Sequence, residues 1–168
     1  MVEIIRAAHP DLLAIHDLAH QIWPVTFREI LSEGQIKYMM NLMYSMDTLE
    51  ELHEKENHHF ILALKNKERI GFALYHPKND PNSIYRLSKI YIHPRHSCKG
   101  VGKKLIDYII NDIEGYGATI LELNVNRHNK AVGFYKKLGF RIVGEENIDI
   151  GEGYFMNDYV MQFHITQG

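Results

Sequence analysis

Between residues 84 and 114 a strand-like run, a turn holding Gly100 and Gly102, and an amphipathic helical run follow one another. This succession constrains the chain more than any other stretch. The first amides of a helix have no partner within it, and glycines let a ligand approach the backbone closely. Those N–H groups and the positive end of the helix dipole make an anion site suited to a phosphate or pyrophosphate. Lys99, Lys103 and Lys104 add positive charge around the turn.

The spacing departs from two familiar phosphate loops. A P-loop needs G-x-x-x-x-G-K-[ST], but Ser97 stands at the first glycine and Lys104 where the hydroxyl belongs. A dinucleotide fingerprint needs a third glycine where Leu105 stands, and it usually opens a domain. Taken alone, G-x-G is also an ordinary turn before a helix.

Composition narrows the class. With 168 residues, 45% of them hydrophobic, and a formal net charge of −2, the chain reads as one globular domain, residues 1–168, with no polybasic face for nucleic acid. Cys98 is the only cysteine, which excludes an intrachain disulfide framework and a cysteine-based zinc site. The histidines are scattered, so no metal is expected. Lacking a leader-like segment and a long apolar run, the chain is expected in the cytoplasm, off the membrane.

The remaining elements follow in order. Residues 2–7 read as a strand, Pro10 and Asp11 open a helix, and an apolar stripe from Leu12 to Trp23 is expected to stop at Pro24. Ser32 with Gln35, and Thr48 with Glu51, have capping-box spacing and are expected to open two more helices. Strands are expected at 60–65, 70–76 and 84–93, antiparallel because their connections, the second at 77–82, are of hairpin length. After the glycine-loop helix come a strand at 119–126, a helix at 130–138 closed by Gly139, and strands at 141–149 and 155–164.

The glycine loop, Ser97-Cys98-Lys99-Gly100-Val101-Gly102, resembles the Q/R-x-x-G-x-G/A loop of the GCN5-related N-acetyltransferases (GNAT), departing at Ser97. Residues 129–140, NKAVGFYKKLGF, resemble that family's N-x-x-A-x-x-F-Y-x-x-x-G-F, with matches at Ala131, Phe134, Tyr135, Gly139 and Phe140. Both lie in family order. The resemblance implies an α+β fold in α/β/α layers: a mixed, mostly antiparallel sheet of about seven strands flanked by helices, with acyl-CoA in a V-shaped splay between the fourth and fifth strands.

It also implies roles. Ser97, Cys98, Lys99, Gly100, Val101, Gly102 and Lys103 would hold the pyrophosphate of acetyl-CoA, the co-substrate. The backbone of Ile90, Tyr91 and Ile92 would pair with pantetheine, and Asn129 and Asn126 would contact CoA. Tyr135 would bind at the thioester and protonate the departing thiolate, a task that suits a phenol with an ordinary pKa of about 10. An alkylamine, protonated in water, must lose a proton to attack. The family's usual position for a base carries Asn124, which cannot act, so Glu122 on the same strand face is the first candidate, ahead of His93 and His96, with bulk water as the other route.

The helices after the first strand would wall the acceptor cleft, and Trp23, Tyr38 and Tyr44 are its candidate acceptor contacts. Both ends of the chain look like a bacterial subgroup that includes spermine/spermidine N-acetyltransferases. A polyamine or other small amine is therefore the implied acceptor, with Glu29, Glu33, Asp149, Glu152 and Asp158 available to attract a polycation. Protein N-termini and lysines are alternative acceptors, and a CoA-binding regulatory module without turnover is an alternative function. The Met- and aromatic-rich second helix is a candidate homodimer face, and Cys98 a candidate thiol whose alkylation blocks CoA.

Overall fold

A computed structural model describes residues 1–78 and 83–166. Residues 79–82, the end of the expected turn at 77–82, lie outside the described residues. Seven strands pair in the order β1-β2-β3-β4-β5-β7-β6. They are β1 (Val2–Arg6), β2 (His59–Lys65), β3 (Glu68–Pro77), β4 (Ile84–Ile92), β5 (Ile120–Asn126), β6 (Arg141–Gly151) and β7 (Tyr154–His164). The helices are α1 (Leu12–Phe27), α2 (Glu33–Tyr44), α3 (Met46–Glu54), α4 (Val101–Glu114) and α5 (Ala131–Leu138). Strands β1–β2, β2–β3, β5–β7 and β6–β7 are antiparallel, whereas β4–β5, joined through α4, is parallel. The mixed sheet is the one expected. The chain divides into two compact units, Met1–His76 with Lys89–Ile109, and Pro77–Ser88 with Ile110–Gly168.

The first unit is built on apolar runs. In β2 and β3, Phe60 to Ala63 and Phe72 to Tyr75 are buried without alternation, as in a sheet covered on both faces. Trp23 and Phe27 of α1 and Tyr44 of α2 meet Phe72 and Tyr91 ring to ring, which seats those helices on the sheet. Val101, Leu105 and Ile109 are the buried stripe of α4.

Two expectations about helix ends are corrected here. Pro24 does not stop α1, which runs on to Phe27. Ile22 and Trp23 before the proline and Phe27 after it are all buried, so tertiary packing on both sides outweighs the missing amide. Thr48 does not cap α3. Ser45 does, its Oγ accepting the Thr48 N–H at 3.2 Å, so the helix starts earlier than the Thr48–Glu51 spacing suggested. Ser32 caps α2 as expected, accepting the Gln35 N–H at 3.1 Å.

In the second unit β5 alternates: Leu121, Leu123 and Val125 are buried on one face, while Glu122, Asn124 and Asn126 share the other. Helix α5 covers the apolar face, with Tyr135 on Phe140 and Phe140 on Phe163. Gly139 closes α5 at φ 107°, a left-handed cap that glycine adopts without strain.

Candidate active site

The glycine loop belongs to the first unit. A short 3-10 turn, Pro94–His96, leads into it, with Ser97 Oγ donating to Pro94 O at 2.9 Å. Cys98 at φ 61° and Gly100 at φ 83° turn the exposed chain into α4. A Cβ on Gly100 would meet nothing, so the loop's outer side is open to a ligand. The Lys104 N–H closes the first helical bond, to Gly100 O at 3.1 Å; by helix geometry the amides just before it have no partner inside the helix. Lys99, Lys103 and Lys104 are exposed, and Lys103 is tied to Asp107 at 2.7 Å. On β4, which leads to the loop, Ile90, Tyr91 and Ile92 are half-buried.

In the second unit the β4–β5 pairing covers Ile84–Leu87 against Ile120–Leu123 and ends there. Asn124, Val125 and Asn126 continue with partners on β7 only, opposite Val160, Tyr159 and Asp158. Asn126 and Asn129 shape the chain beyond β5, their side-chain oxygens accepting the His128 and Ala131 N–H groups at 2.9 Å each. Tyr135 is 6% exposed, and burial pushes its phenol pKa well up, so it remains a protonated donor at any physiological pH.

The polar face of β5 holds two carboxylates in opposite circumstances. Glu122, 2% exposed, accepts from Lys78 Nζ at 2.6 Å, Arg86 Nη1 at 2.9 Å and Gln162 Nε2 at 2.7 Å. Burial works to raise its pKa, but the Lys78 and Gln162 hydrogen bonds and the Lys78 and Arg86 charges outweigh it and hold the carboxyl below its ordinary value. A carboxylate so engaged is a weak proton acceptor. The Asp158 carboxylate, 4% exposed, accepts one long hydrogen bond among the described residues, from Asn124 Nδ2 at 3.3 Å. Burial is the main cause that raises its pKa. Glu146 adds to this, while Asn124, Arg86 and Arg127 oppose it. Asn124 Oδ1 is buried with no partner among the described residues.

The expected acceptor contacts divide. Trp23 and Tyr44, 3% and 1% exposed, are packed into the aromatic cluster of the first unit, whereas Tyr38 is half-buried. Glu29, Glu33, Asp149 and Glu152 are exposed. His93 Nδ1 accepts the Arg95 N–H at 3.2 Å, and burial, then the charges of Arg95 and His96, lower the His93 pKa. Cys98 is exposed. Sequence reasoning passed over Lys89 of β4. This ammonium, 7% exposed, lies 3.2 Å from Met43 O and 4.1 Å from the centroid of the Tyr44 ring, and desolvation lowers its pKa to about 8. A lysine in a strand gives no signal of burial until the helix facing it is known. Among the described residues no cluster of potential metal ligands occurs, and no helix is long and apolar enough to cross a membrane.

A seven-stranded mixed sheet with β4 and β5 parallel and a glycine turn opening the intervening helix defines an acyltransferase-type fold. The chain belongs to the acetyltransferase (GNAT) family, whose model matches residues 14–140. It is 36% identical over 97 residues to the peptidyl-lysine N-acetyltransferase YjaB of Salmonella typhimurium, covering 56% of this chain and 59% of that protein. The match therefore spans less than two thirds of that relative's length. It is 26% identical over 153 residues to the spermidine N(1)-acetyltransferase of Thermoplasma acidophilum, covering 88% and 93% of the two chains. The crystal structure of PaiA N-acetyltransferase from T. acidophilum in complex with coenzyme A superposes with a TM-score of 0.81 at 23% identity, over 98% of this chain and 99% of that one.

Proposed function

We propose that residues 1–168 act as one acetyl-CoA-dependent N-acetyltransferase that moves the acetyl group to a primary amine by direct attack in a ternary complex. The observation that carries this reading is the open loop at the start of α4, with Cys98 and Gly100 at positive φ and exposed lysines around it, in a chain of this family. Backbone amides there receive the pyrophosphate, and Ser97 in place of Arg or Gln removes one side-chain contact without removing the amides. Ile90, Tyr91 and Ile92 offer backbone groups to pantetheine. Asn126 and Asn129, whose oxygens are used locally, have amide nitrogens left to donate to CoA.

The reaction is completed by Tyr135. Its protonated, desolvated phenol donates to the sulfur as the C–S bond breaks, with negative charge developing on the thiolate. The acceptor is a polyamine or another small alkylamine, a reading supported by the near full-length similarity to a spermidine N(1)-acetyltransferase. The shorter, more identical match to a peptidyl-lysine N-acetyltransferase favours a lysine side chain as the second reading, chemically also an alkylamine. Thiol release from acetyl-CoA against spermidine, spermine, simple diamines, amino acids, an aminoglycoside and lysine peptides tests this. Turnover on polyamines is expected, turnover on peptides alone selects the second reading, and CoA binding without turnover on any amine reassigns the chain to a regulatory role.

A further inference from the structure

The sheet face of the second unit that carries Glu122 and Asn124 also carries the carboxylate of Asp158. The β5–β7 register sets Asn126 directly opposite Asp158 and Asn124 opposite Val160, and the bond from Asn124 Nδ2 to Asp158 Oδ2 places the two side chains together on that face. Helix α5 and Tyr135 lie on the other face, over Phe163. From this geometry we infer that Asp158, on β7, is the proton acceptor for the attacking amine, working through one water held by Asn124 Oδ1. The inference rests on the acetyltransferase reading above.

Three observations converge on it. Asn124 occupies the end of β5 beyond the β4 ladder and cannot take a proton, yet its buried oxygen has no partner among the described residues, an unmet acceptor that a bound water would satisfy. Among the described residues the Asp158 carboxylate accepts a single hydrogen bond, at 3.3 Å, and so keeps lone pairs for that water. Glu122, the other carboxylate on the face, has its two oxygens engaged by Lys78, Arg86 and Gln162. The charged groups acting on Asp158 are Glu146, opposite it on β6, with Arg127 after β5 and Arg86 on β4.

The step balances as follows. The amine arrives as R–NH3+ and passes one proton through the water to the Asp158 carboxylate, which releases it to solvent. The freed nitrogen lone pair forms the N–C bond with the thioester carbon while the carbonyl π pair moves to oxygen. When the carbonyl re-forms, the C–S pair departs with sulfur, which takes the Tyr135 proton. The second nitrogen proton is shed as the neutral amide forms and, through solvent, restores the phenol. The amine thus loses its proton on one face and the thiolate gains one from the other.

The test is the pH dependence of kcat/KM for the best amine in wild type, Asp158→Asn and Glu146→Gln. Asp158→Asn is expected to lower kcat/KM by about 100-fold or more, the usual span for a lost proton acceptor, with acetyl-CoA affinity and thermal unfolding retained. Glu146→Gln, a change at an exposed residue that folding tolerates, is expected to move the acidic limb to lower pH, because the negative charge that adds to the effect of burial on the Asp158 pKa is then gone; a merely structural Asp158 would not move that limb. Asp158→Asn within about threefold of wild type across the profile, or an acidic limb unmoved by Glu146→Gln, overturns the inference while leaving the acetyltransferase reading intact. A wild-type protein that releases no thiol with any amine overturns that reading, and this inference falls with it.

Discussion

Lys89→Met is expected to stabilise the protein at neutral pH, and the gain is expected to fade as pH rises. Lys89 is buried with no carboxylate against it among the described residues; its ammonium has Met43 O at 3.2 Å and the Tyr44 ring at 4.1 Å. These contacts only partly offset desolvation, which lowers its pKa from the ordinary 10.5 to about 8. At about 1.36 kcal/mol per pKa unit, holding the charge in the folded state costs roughly 3 kcal/mol below pH 8. Methionine keeps the stem's packing and removes the charge, but leaves Met43 O without its donor, a loss of about 1 kcal/mol. The net is a gain of about 2 kcal/mol, or roughly 4–8 °C in Tm for a chain of this size. The sign follows from proton counting: between pH 8 and 10.5 the unfolded lysine still binds a proton that the folded one has released, so wild-type stability from this group rises with pH across that window. Urea unfolding of both proteins at pH 6, 7, 8, 9 and 10 measures the gap directly, and shared titrations cancel in the difference. A gap near 2 kcal/mol at pH 6–7 that narrows steadily above pH 8 is expected; a variant less stable than wild type at pH 7, or a gap indifferent to pH, refutes the reasoning.

Tyr135→Phe is expected to lower kcat by about 100-fold or more and leave the Kd for acetyl-CoA within twofold, read by steady-state kinetics alongside calorimetry. Gly100→Ala places a side chain at φ 83°, where the open surroundings leave only backbone strain of about 1–2 kcal/mol; weaker CoA binding beyond a small shift in Tm then reports close approach of phosphate, and unchanged affinity removes the phosphate from this loop. Glu122→Gln leaves Lys78 and Arg86 facing a neutral amide and is expected to cost about 1–3 kcal/mol in chemical unfolding, with no displacement of the acidic limb of kcat/KM. Alkylation of the exposed Cys98 is expected to block CoA binding, and equal affinity before and after modification excludes the thiol from the site.

What the sequence made legible was what depends on short-range chemistry. Gly139 as a left-handed cap, Ser32 as a helix cap and the apolar stripe of α4 were all readable, because each is decided within a few residues. Pro24 and Thr48 misled for the opposite reason. The helix past Pro24 is held by Trp23 and Phe27 packing on Tyr91, far along the chain, and Ser45 competes with Thr48 for the same helix start in a way that spacing alone does not rank. Trp23 and Tyr44 looked like cleft aromatics because composition cannot distinguish a wall from a core; their mutual ring contact at 5.6 Å places them in the core. The loop at Gly100 was legible by pattern, while the burial of Lys89 needed the end of α2 to be folded over β4.

The two carboxylates of the second unit carry the same lesson into the chemistry. Glu122 and Asp158 are both acids on strands, nearly equal in burial at 2% and 4%, and on the same sheet face. Position along β5 favoured Glu122, since it lies two residues from the slot filled by Asn124. Register decides differently, because it brings Lys78, Arg86 and Gln162 to one carboxylate and an amide and an opposing Glu146 to the other. The first is held as an anion and becomes a structural counter-ion. The second keeps spare lone pairs and a raised affinity for a proton. When two acids share a face and their partners push their proton affinities apart, the one left under-partnered is the one able to exchange a proton during a reaction. Proton transfer at Asp158 and a structural Glu122 therefore make a paired demand: substitution at Glu122 must move unfolding and leave the acidic limb in place, whereas Glu146→Gln must move the limb and leave unfolding nearly unchanged.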